Sequence, residues 1–346
     1  MPAVDPSQRS ERSKPASPVL TVSVVVPVYN GAATIGQCLE SLAGQTYPAD
    51  KYEIIVVENG STDGTTRVVE QYPVRIYHCG QRGPAPARNL GIDRSEGEIV
   101  AFTDADCVAD REWLAELVKP YGDLAVGATG GAILAYASAG CGLVERFSAE
   151  CTPLVNYISG EGEFLPRLLT ANASYRKDLL KAVGGFDARL VTAEDVDLAW
   201  RVQLQMGAMV SFAPQAIVYH HHRRTRAGLA RQYRQYGFSE ILLDTMYGRY
   251  TGYPRTRRYQ ARRMVKQLAA LGRYGLSAVI RQARLARGKA STDQAAAPRL
   301  WFLIESNNLW GKLEAIVATR LMTDASPVLQ IKPEALIERW HPGRVE

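Results

Sequence analysis

Four apolar runs, each separated from the next by a helical pattern, constrain the fold of this chain more than any other feature. The runs are TVSVVVPVY (21–29), YEIIVVE (52–58), VRIYH (74–78) and GEIVAFTDAD (97–106). Near-continuous β-branched runs are typical of strands that are covered on both faces. Apolar spacing predicts helices over 32–45, 65–72 and 84–95. The alternation predicts an α/β fold in which right-handed crossovers build a parallel sheet.

Polar residues stand where three of these runs stop, at Asn30, Glu58 and Asp104. Ligands bind beyond the carboxyl ends of parallel strands, so we expect a single site there. Asp104 and Asp106 would point to the same side of an extended chain, and such a pair suits Mg²⁺ or Mn²⁺ bound to substrate phosphates. A DxD triplet alone is more often a pair of solvated turn aspartates, but its place at the end of a buried run favours a metal site.

The second half of the chain departs from this alternation. Its patterns predict a helix over 111–121, a strand over 126–136, an irregular Gly-rich region to about residue 163, a helix from near Arg176, a helix over 194–207 and a strand over 209–222. Residues 288–298 are expected to form a linker. The uncharged stretch 124–144 consists mainly of Gly, Ala and Ser with few large apolar side chains. We therefore interpret it as buried strand and turn, and predict no transmembrane helix.

Arg88 and Asn89 are expected to begin a helix whose end leads into the Asp104 strand. A helix start offers free N–H groups and a positive dipole to a phosphate, and Arg adds a bidentate donor. A surface Arg followed by a polar filler is an equally good interpretation of this stretch alone.

Three acids crowd the predicted first turn of the helix 194–207, namely Glu194, Asp195 and Asp197. The helix dipole accounts for Asp197. A helix start needs only one cap, however, and acids this close together raise the pKa of one of them, as a general base requires.

Three consecutive histidines, His220, His221 and His222, end the strand that follows. At most two of them can face the same way on an extended chain. Imidazole is a common metal ligand, although a solvated His run is the default interpretation for any one of them.

Composition separates the chain into parts. Residues 1–20 are polar and rich in Pro and Ser, and we expect them to be disordered, neither a signal peptide nor an anchor. The five cysteines form no CxxC pair, which argues against a disulfide framework or a structural zinc site and fits a reducing compartment. The net charge of +6 hides a basic segment, because 223–289 contains 17 Lys or Arg and two acids.

Taken together, the motifs resemble those of the inverting glycosyltransferases of family 2, of the bacterial polysaccharide type. The resemblance rests on VSVVVPVYNGAATIGQCLESLAGQTY, EIIVVENGSTDGT, GPAPARNLGIDRSEGEIVAFTDAD, NASYRKDLLKAVGGFD, EDVDLAWR and VYHHH, which follow one another over about residues 22–222. It implies the GT-A nucleotide-diphospho-sugar transferase fold, a Rossmann-like, mainly parallel sheet flanked by helices. The catalytic domain would span 21–223, and 224–346 would form a basic helical extension.

The resemblance also implies a role for each matching residue. The residues that would bind the base and ribose of the nucleotide are Pro27, Tyr29, Asn30 and Glu58. Arg88 and Asn89 would lie near the nucleotide and its phosphates, and Asp104 would approach the ribose or the donor sugar. Asp106 would bind a divalent cation, Mn²⁺ or Mg²⁺, with His220 as the histidine that completes the metal or diphosphate site. Asp195 would be the catalytic base, and Glu194 would orient it or touch the acceptor.

Two residues depart from the family pattern, which usually has Asp-Asp before Gly-Ser. Glu58 keeps the carboxylate one methylene further out, so its contact with the nucleotide base would shift. Asn59 loses a charge, and the sequence assigns it no role.

The expected reaction is metal-dependent transfer of a sugar, most simply from a UDP-sugar, to a glycan or a lipid-linked saccharide in cell-surface or extracellular polysaccharide synthesis. A nucleotidyltransferase on the same fold would have no use for Glu194 and Asp195. A scaffold without activity is disfavoured by the intact acids. No GxGxxG follows the first strand, which argues against an oxidoreductase.

The basic extension admits three interpretations. Residues 224–290 could rest on an anionic membrane surface, cap the catalytic domain with solvated arginines, or bind nucleic acid. A lipid-linked acceptor favours the membrane, followed by the cap, and we expect no nucleic acid partner. The protein is accordingly expected in the cytoplasm, peripheral at the inner face of the cell membrane.

Overall fold

The computed structural model describes residues 19–136, 140–152, 154–156, 164–190, 192–248, 250, 253 and 257–320. Three parts of the chain lie outside the described residues. They are most of the segment 1–20 that was expected to be disordered, part of the irregular region before residue 163, and the end of the chain after residue 320.

Eight strands and ten α-helices make up the described structure. The strands are β1 (Val22–Val28), β2 (Tyr52–Glu58), β3 (Arg75–His78), β4 (Ile99–Phe102), β5 (Cys107–Ala109), β6 (Val126–Ala135), β7 (Ala173–Arg176) and β8 (Met209–His220). The helices are α1 (Ile35–Ala43), α2 (Thr65–Val69), α3 (Pro84–Arg94), α4 (Trp113–Val118), α5 (Leu143–Cys151), α6 (Lys177–Ala182), α7 (Glu194–Met206), α8 (Arg226–Tyr247), α9 (Arg257–Ala286) and α10 (Thr292–Arg320).

The strands form one sheet in the order β3-β2-β1-β4-β7-β6-β8-β5. β1 pairs in parallel with β2 and β4, and β2 with β3, as the alternation of strands and helices predicted. Val24 and Val26 pack into the cluster on the α1 side of the sheet, whereas Val25 packs into the cluster on the α3 side. Burial of both faces explains the uninterrupted apolar run of β1. The expected α/β fold with its mainly parallel sheet is confirmed.

The second half of the sheet is built around an amide. β7 runs antiparallel to both β4 and β6, while β6 and β8 are parallel with a register shift after Gly131. At this shift the buried Asn172 amide donates to the carbonyls of Ala132 on β6 and Ala216 on β8, each at 2.8 Å. Its Oδ1 accepts from the indole of Trp113 at 2.8 Å. The Asn172 side chain thus supplies hydrogen bonds to backbone carbonyls of β6 and β8 where the shifted register interrupts the pairing of these strands.

Three expectations about elements are wrong. The fourth strand ends at Phe102 and not at Asp106, because the amide of Cys107 donates to the carbonyl of Asp104 at 3.0 Å and closes a turn. The region expected to be irregular contains α5, which buries Val144 and Phe147 against the extension.

The third wrong expectation is the linker over residues 288–298. α10 begins within this stretch, at Thr292, and continues through Pro298. Proline cannot donate to the carbonyl four residues earlier. That carbonyl, of Gln294, accepts instead from Arg281 Nη1 of α9 at 3.2 Å.

The helices of the basic segment share apolar clusters with the elements that precede them. Leu229 of α8 packs with Phe147, and Tyr247 of α8 packs with Trp200 of α7. The backbones of α8 and α10 touch at Gly237 and Gly311, where a Cβ would lie 1.9 Å from a carbonyl oxygen of the facing helix. None of the described helices has the length and apolar composition of a membrane-spanning segment.

Replacing Asn172 with Asp tests the amide at the register shift. The carboxylate would face the carbonyls of Ala132 and Ala216 without donating, so we expect the free energy of unfolding to fall by about 3 kcal/mol. Urea denaturation measures this. Gln71→Glu, the same chemical change at an exposed position, serves as the control. A loss for N172D below about 0.5 kcal/mol would contradict the role given to the amide.

Candidate active site

The loops after β1 and β2 are joined at the carboxyl end of the sheet. Asn30 adopts a left-handed conformation with φ of 50°, and its amide N–H donates to Ser61 Oγ at 2.9 Å. Its side-chain oxygen accepts from the amide of Thr62 at 2.8 Å. The half-buried Pro27 and Tyr29 precede it on and just after β1. The structure therefore brings together three of the four residues expected to bind the base and ribose.

Glu58, the fourth of these residues, is buried at the end of β2. One carboxylate oxygen accepts from the amide of Ser61, and the other lies 3.2 Å from His78 Nδ1. Burial by itself would raise the pKa of the Glu58 carboxyl, but these hydrogen bonds outweigh burial and lower the pKa. The carboxylate is thus held ionised, and its second oxygen faces the exposed His78.

Asn59 has a structural role that explains its departure from the family pattern. Its side-chain amide donates to the carbonyls of Cys79 and Gln81 at 3.2 and 2.7 Å, and its oxygen accepts from the amide of Gly83 at 2.8 Å. An aspartate could not make the two donations. Asn59 therefore fixes the loop that leads into α3.

Arg88 joins two acids that are far apart in the sequence. Its Nη2 donates to Asp104 Oδ1 at 2.8 Å and its Nη1 to Glu194 Oε1 at 2.7 Å. The side chain is 6% exposed, and its buried Nε has no hydrogen-bond partner among the described residues. A buried guanidinium between two carboxylates stabilises their charges and fixes their positions.

The expectation that Arg88 and Asn89 begin a helix is wrong. α3 starts at Pro84, so both residues lie in its second turn, away from the free N–H groups. Asn89 accepts from the amide of Phe186 and donates to its carbonyl, each at 2.8 Å. Its side chain therefore holds the segment that follows α6, and the two terminal nitrogens of Arg88 are already bonded to carboxylates.

Asp104 and Asp106 lie on the turn between β4 and β5, so the same-side geometry of an extended chain does not apply. Asp104 contacts Arg88, as described above, while Asp106 Oδ1 lies 3.5 Å from His220 Nε2. The other oxygen of Asp106 lies 3.8 Å from Arg223 Nη1. The turn thus directs one acid towards α3 and the other towards the end of β8.

The three histidines point in two directions. His220 is buried beside Asp106, and the ring of His222 lies against it with centroids 5.3 Å apart. His221 stacks on Tyr136 at 4.0 Å and contacts Gln37 Oε1 through Nε2 at 3.1 Å. Among the three rings, His220 is therefore the one that the fold places at the expected metal site.

The residues around Asp106 fit a divalent cation. Among the described residues, Asp106, Cys107 and His220 form one group of ligand atoms within 4.8 Å of one another. Two ligands of one ion at about 2.1 Å lie about 3.0 to 3.6 Å apart, which matches the distance from Asp106 to His220. A carboxylate and an imidazole suit Mn²⁺ and leave positions for diphosphate oxygens and water, whereas the soft Cys107 thiol is not a ligand that Mn²⁺ or Mg²⁺ prefers.

Glu194 and Asp195 begin α7 directly after Ala193, which adopts a left-handed φ of 60°. Burial raises the pKa of both carboxyls, and Arg88 opposes this shift. The predicted crowding of charges is thus a smaller cause than burial. Asp195 accepts from the amide of Val196 at 2.8 Å and more weakly from that of Thr170 at 3.4 Å.

Asp197 belongs to a different network from the other two acids of this turn. It is paired with Arg201 at 2.7 Å and accepts from the Tyr247 hydroxyl of α8 at 2.6 Å. The helix dipole is therefore not the main reason for an acid at this position.

Sequence reasoning missed Arg223 and Cys107. Arg223 follows the His run directly, and this adjacency to a candidate ligand was the available signal. Cys107 could be assigned only from the strand pairing, which sets it opposite His220.

Comparison with known proteins identifies the family of this chain. The family model described as Glycosyl transferase family 2 matches residues 23–140. Glycosyltransferase AglE of Haloferax volcanii is 33% identical over 220 residues, which cover 62% of this chain and 71% of AglE. Pre-mycofactocin glycosyltransferase of Mycobacterium tuberculosis is 31% identical over 221 residues, covering 61% of this chain and 45% of that protein.

The solved structure of mannosyltransferase PcManGT from Pyrobaculum calidifontis, in complex with GDP-Man and Mn²⁺, matches with a TM-score of 0.55 and 24% identity. It covers 86% of this chain and 87% of PcManGT, which supports the GT-A fold. The chain belongs to glycosyltransferase family 2 and is a glycosyltransferase.

Replacing Arg88 with Gln tests the bridge between the acids. Without Arg88 the folded-state pKa of Glu194 rises further above its unfolded value, so the variant loses stability as the pH rises through that interval. We expect a loss of about 3 to 5 kcal/mol near pH 7.5 and a smaller loss near pH 5. Urea denaturation at the two pH values measures it. Arg94→Gln on the exposed face of the same helix is the control, and an equal loss for R88Q at both pH values would contradict the bridge.

Proposed function

We propose that this enzyme transfers a sugar from a nucleoside-diphosphate donor to an acceptor hydroxyl, with inversion and with the help of Mn²⁺ or Mg²⁺. The observation that carries the proposal is the Arg88 bridge, which holds the donor-side Asp104 next to the Glu194–Asp195 pair. PcManGT, which has the same fold, was solved with GDP-Man and Mn²⁺. This is compatible with such a donor, and a UDP-sugar stays our first expectation.

The donor side of the site uses the ends of four strands. Pro27, Tyr29, Asn30 and Glu58 would hold the base and ribose, because their loops are joined around Ser61 and Thr62. Asp106 and His220 would hold the divalent cation. When bound, the cation supplies positive charge that offsets the charge of the departing diphosphate.

The acceptor side depends on α7. Asp195 would take the proton of the attacking hydroxyl while the hydroxyl oxygen attacks the anomeric carbon in line. Burial raises the pKa of the Asp195 carboxyl towards the working range of a general base. Glu194 is held by Arg88 and would orient Asp195 or contact the acceptor, a glycan or a lipid-linked saccharide of cell-surface polysaccharide synthesis.

Replacing Asp195 with Asn tests the base. The amide cannot accept the proton, so we expect sugar transfer to fall by about 10²- to 10⁴-fold while donor binding is retained. Transfer is followed by mass spectrometry of products, and binding by thermal shift with UDP-, GDP- and TDP-sugars plus Mn²⁺. Asp93→Asn at an exposed position is the control. Near-normal transfer by D195N would contradict the role of Asp195 as the base. Products of the wild-type enzyme that carry the nucleotide in place of the sugar would contradict sugar transfer itself.

We also propose that the extension rests on an anionic membrane through the outer face of α9. This helix contains eight Lys or Arg and no Asp or Glu. Its inner face is occupied, since Gln267 donates to Glu305 Oε2 and Asn308 Oδ1 of α10, each at 2.9 Å. On the other face large apolar side chains are 50% to 68% exposed, namely Val265, Leu268, Leu276, Val279 and Ile280.

An apolar stripe with flanking cations is the composition of helices that lie in the membrane interface. Each cation near an anionic surface contributes about 1 kcal/mol to binding. Charge complementarity therefore favours anionic lipid over a solvated cap, and we propose peripheral attachment at the cytoplasmic face of the membrane.

Replacing Leu276 and Val279 together with Gln tests this face. Loss of two apolar side chains should weaken co-sedimentation with phosphatidylglycerol vesicles at least tenfold, since each can contribute about 1.5 kcal/mol or more. Leu124→Gln with Met209→Gln, exposed apolar residues of the catalytic domain, is the matched control. Absence of wild-type binding at low salt, or equal weakening by the control, would contradict the membrane proposal.

A further inference from the structure

Arg223 lies on the loop between β8 and α8 and pairs with the carboxylate that the proposed cation would need. Its Nη1 is 3.8 Å from Asp106 Oδ2, and its side chain is 51% exposed. Within the described part of the chain, His220 and Arg223 are the basic groups found within 4.0 Å of Asp106. Asp106 thus has an imidazole on one oxygen and a permanent cation near the other.

The backbone on both sides of Arg223 is fixed. The amide of His221 donates to the carbonyl of Asp106 at 2.9 Å. On the other side, Thr225 caps α8 by accepting from the amide of Gly228 at 3.1 Å. The Cα atom of Arg223 is therefore held near the site, while its long, half-exposed side chain can change direction.

A guanidinium and a divalent cation compete for the same carboxylate. Two positive groups a few ångströms apart repel each other, so a cation held by Asp106 would displace the guanidinium. A donor whose diphosphate is bound by this cation would bring new negative charge close to Arg223, and a planar guanidinium fork can bind phosphate oxygens in a bidentate manner. The displaced side chain then has a partner within reach of its fixed backbone.

We infer that Arg223 is a nucleotide-positioning residue that alternates between two anions, Asp106 in the metal-free enzyme and the donor diphosphate in the loaded enzyme. This inference rests on the proposed function, because it needs the cation at Asp106. This alternation couples the binding of the two ligands. The nucleotide draws Arg223 away from Asp106 and so removes the group that competes with the metal. Each ligand therefore binds more tightly in the presence of the other.

Arg224 is the matched control within the same loop. It is similarly exposed, at 62%, and its Nε lies 3.5 Å from Glu145 Oε2 and not beside Asp106. Replacing either arginine with Gln removes the same charge from adjacent positions, so general electrostatic attraction affects both variants alike.

The experiment measures two affinities for wild type, R223Q and R224Q by calorimetry: that of Mn²⁺ alone, and that of UDP or GDP at saturating Mn²⁺. For R223Q we expect Mn²⁺ to bind about threefold more tightly or better, because a like charge is gone. We expect the nucleoside diphosphate to bind about tenfold more weakly, because a charge-assisted hydrogen bond is lost. R224Q should match wild type in both. Changes of opposite sign distinguish this role from a structural one, which would weaken both ligands.

The conservative variant Arg223→Lys separates charge from shape. It should keep the Mn²⁺ affinity of wild type and lose part of the nucleotide affinity, because the charge stays and the fork is gone. If R223Q binds both ligands as wild type does, or weakens both, the inference is wrong while the metal site stands. If wild type binds neither Mn²⁺ nor a nucleoside diphosphate, the proposed function itself fails.

Discussion

The site depends on one buried guanidinium. Arg88 on α3 bonds to Asp104, which follows β4, and to Glu194, which begins α7, so three separate segments meet at its terminal nitrogens. Burying a charge is unfavourable unless it is paired with good geometry, and two buried or half-buried carboxylates of opposite sign satisfy this condition. The turn that contains Asp104 and the helix that contains the proposed base are therefore positioned by a single side chain, and neither can move without breaking an ion pair.

The parallel half of the fold could be predicted from the sequence because its signals are local. The runs at β1 and β2 are apolar on both faces, and the Asn30-Gly31 and Asn59-Gly60 steps end them sharply. Because the ends of these runs are clear in the sequence, the placement of polar residues at the ends of the strands could be predicted as well. Family membership was predictable for the same reason, since the motifs that carry it are short, contiguous and in order.

Features that depend on distant partners could not be predicted in the same way. The strand before Asp104 looked longer than it is, because the turn is closed by a backbone hydrogen bond that side-chain pattern does not show. Residues 288–298 looked like a linker, but α10 continues through Pro298, and the carbonyl that Pro298 cannot bond accepts from an arginine of α9. The roles of Asn59 and Asn172 are likewise tertiary, since an amide that donates to carbonyls of other segments leaves no periodic signal.

The contact between Tyr247 and Asp197 joins α8 to the helix that contains the proposed base. The phenol of Tyr247 on α8 donates to Asp197, the third acid of the turn that contains the proposed base, at 2.6 Å, and packs on Trp200 of α7. If the helices after the His run were replaced by a tail without this tyrosine, the buried Asp197 would keep only its pair with Arg201. Exchanging the C-terminal helices alone would therefore remove a hydrogen bond from the helix that contains the proposed base.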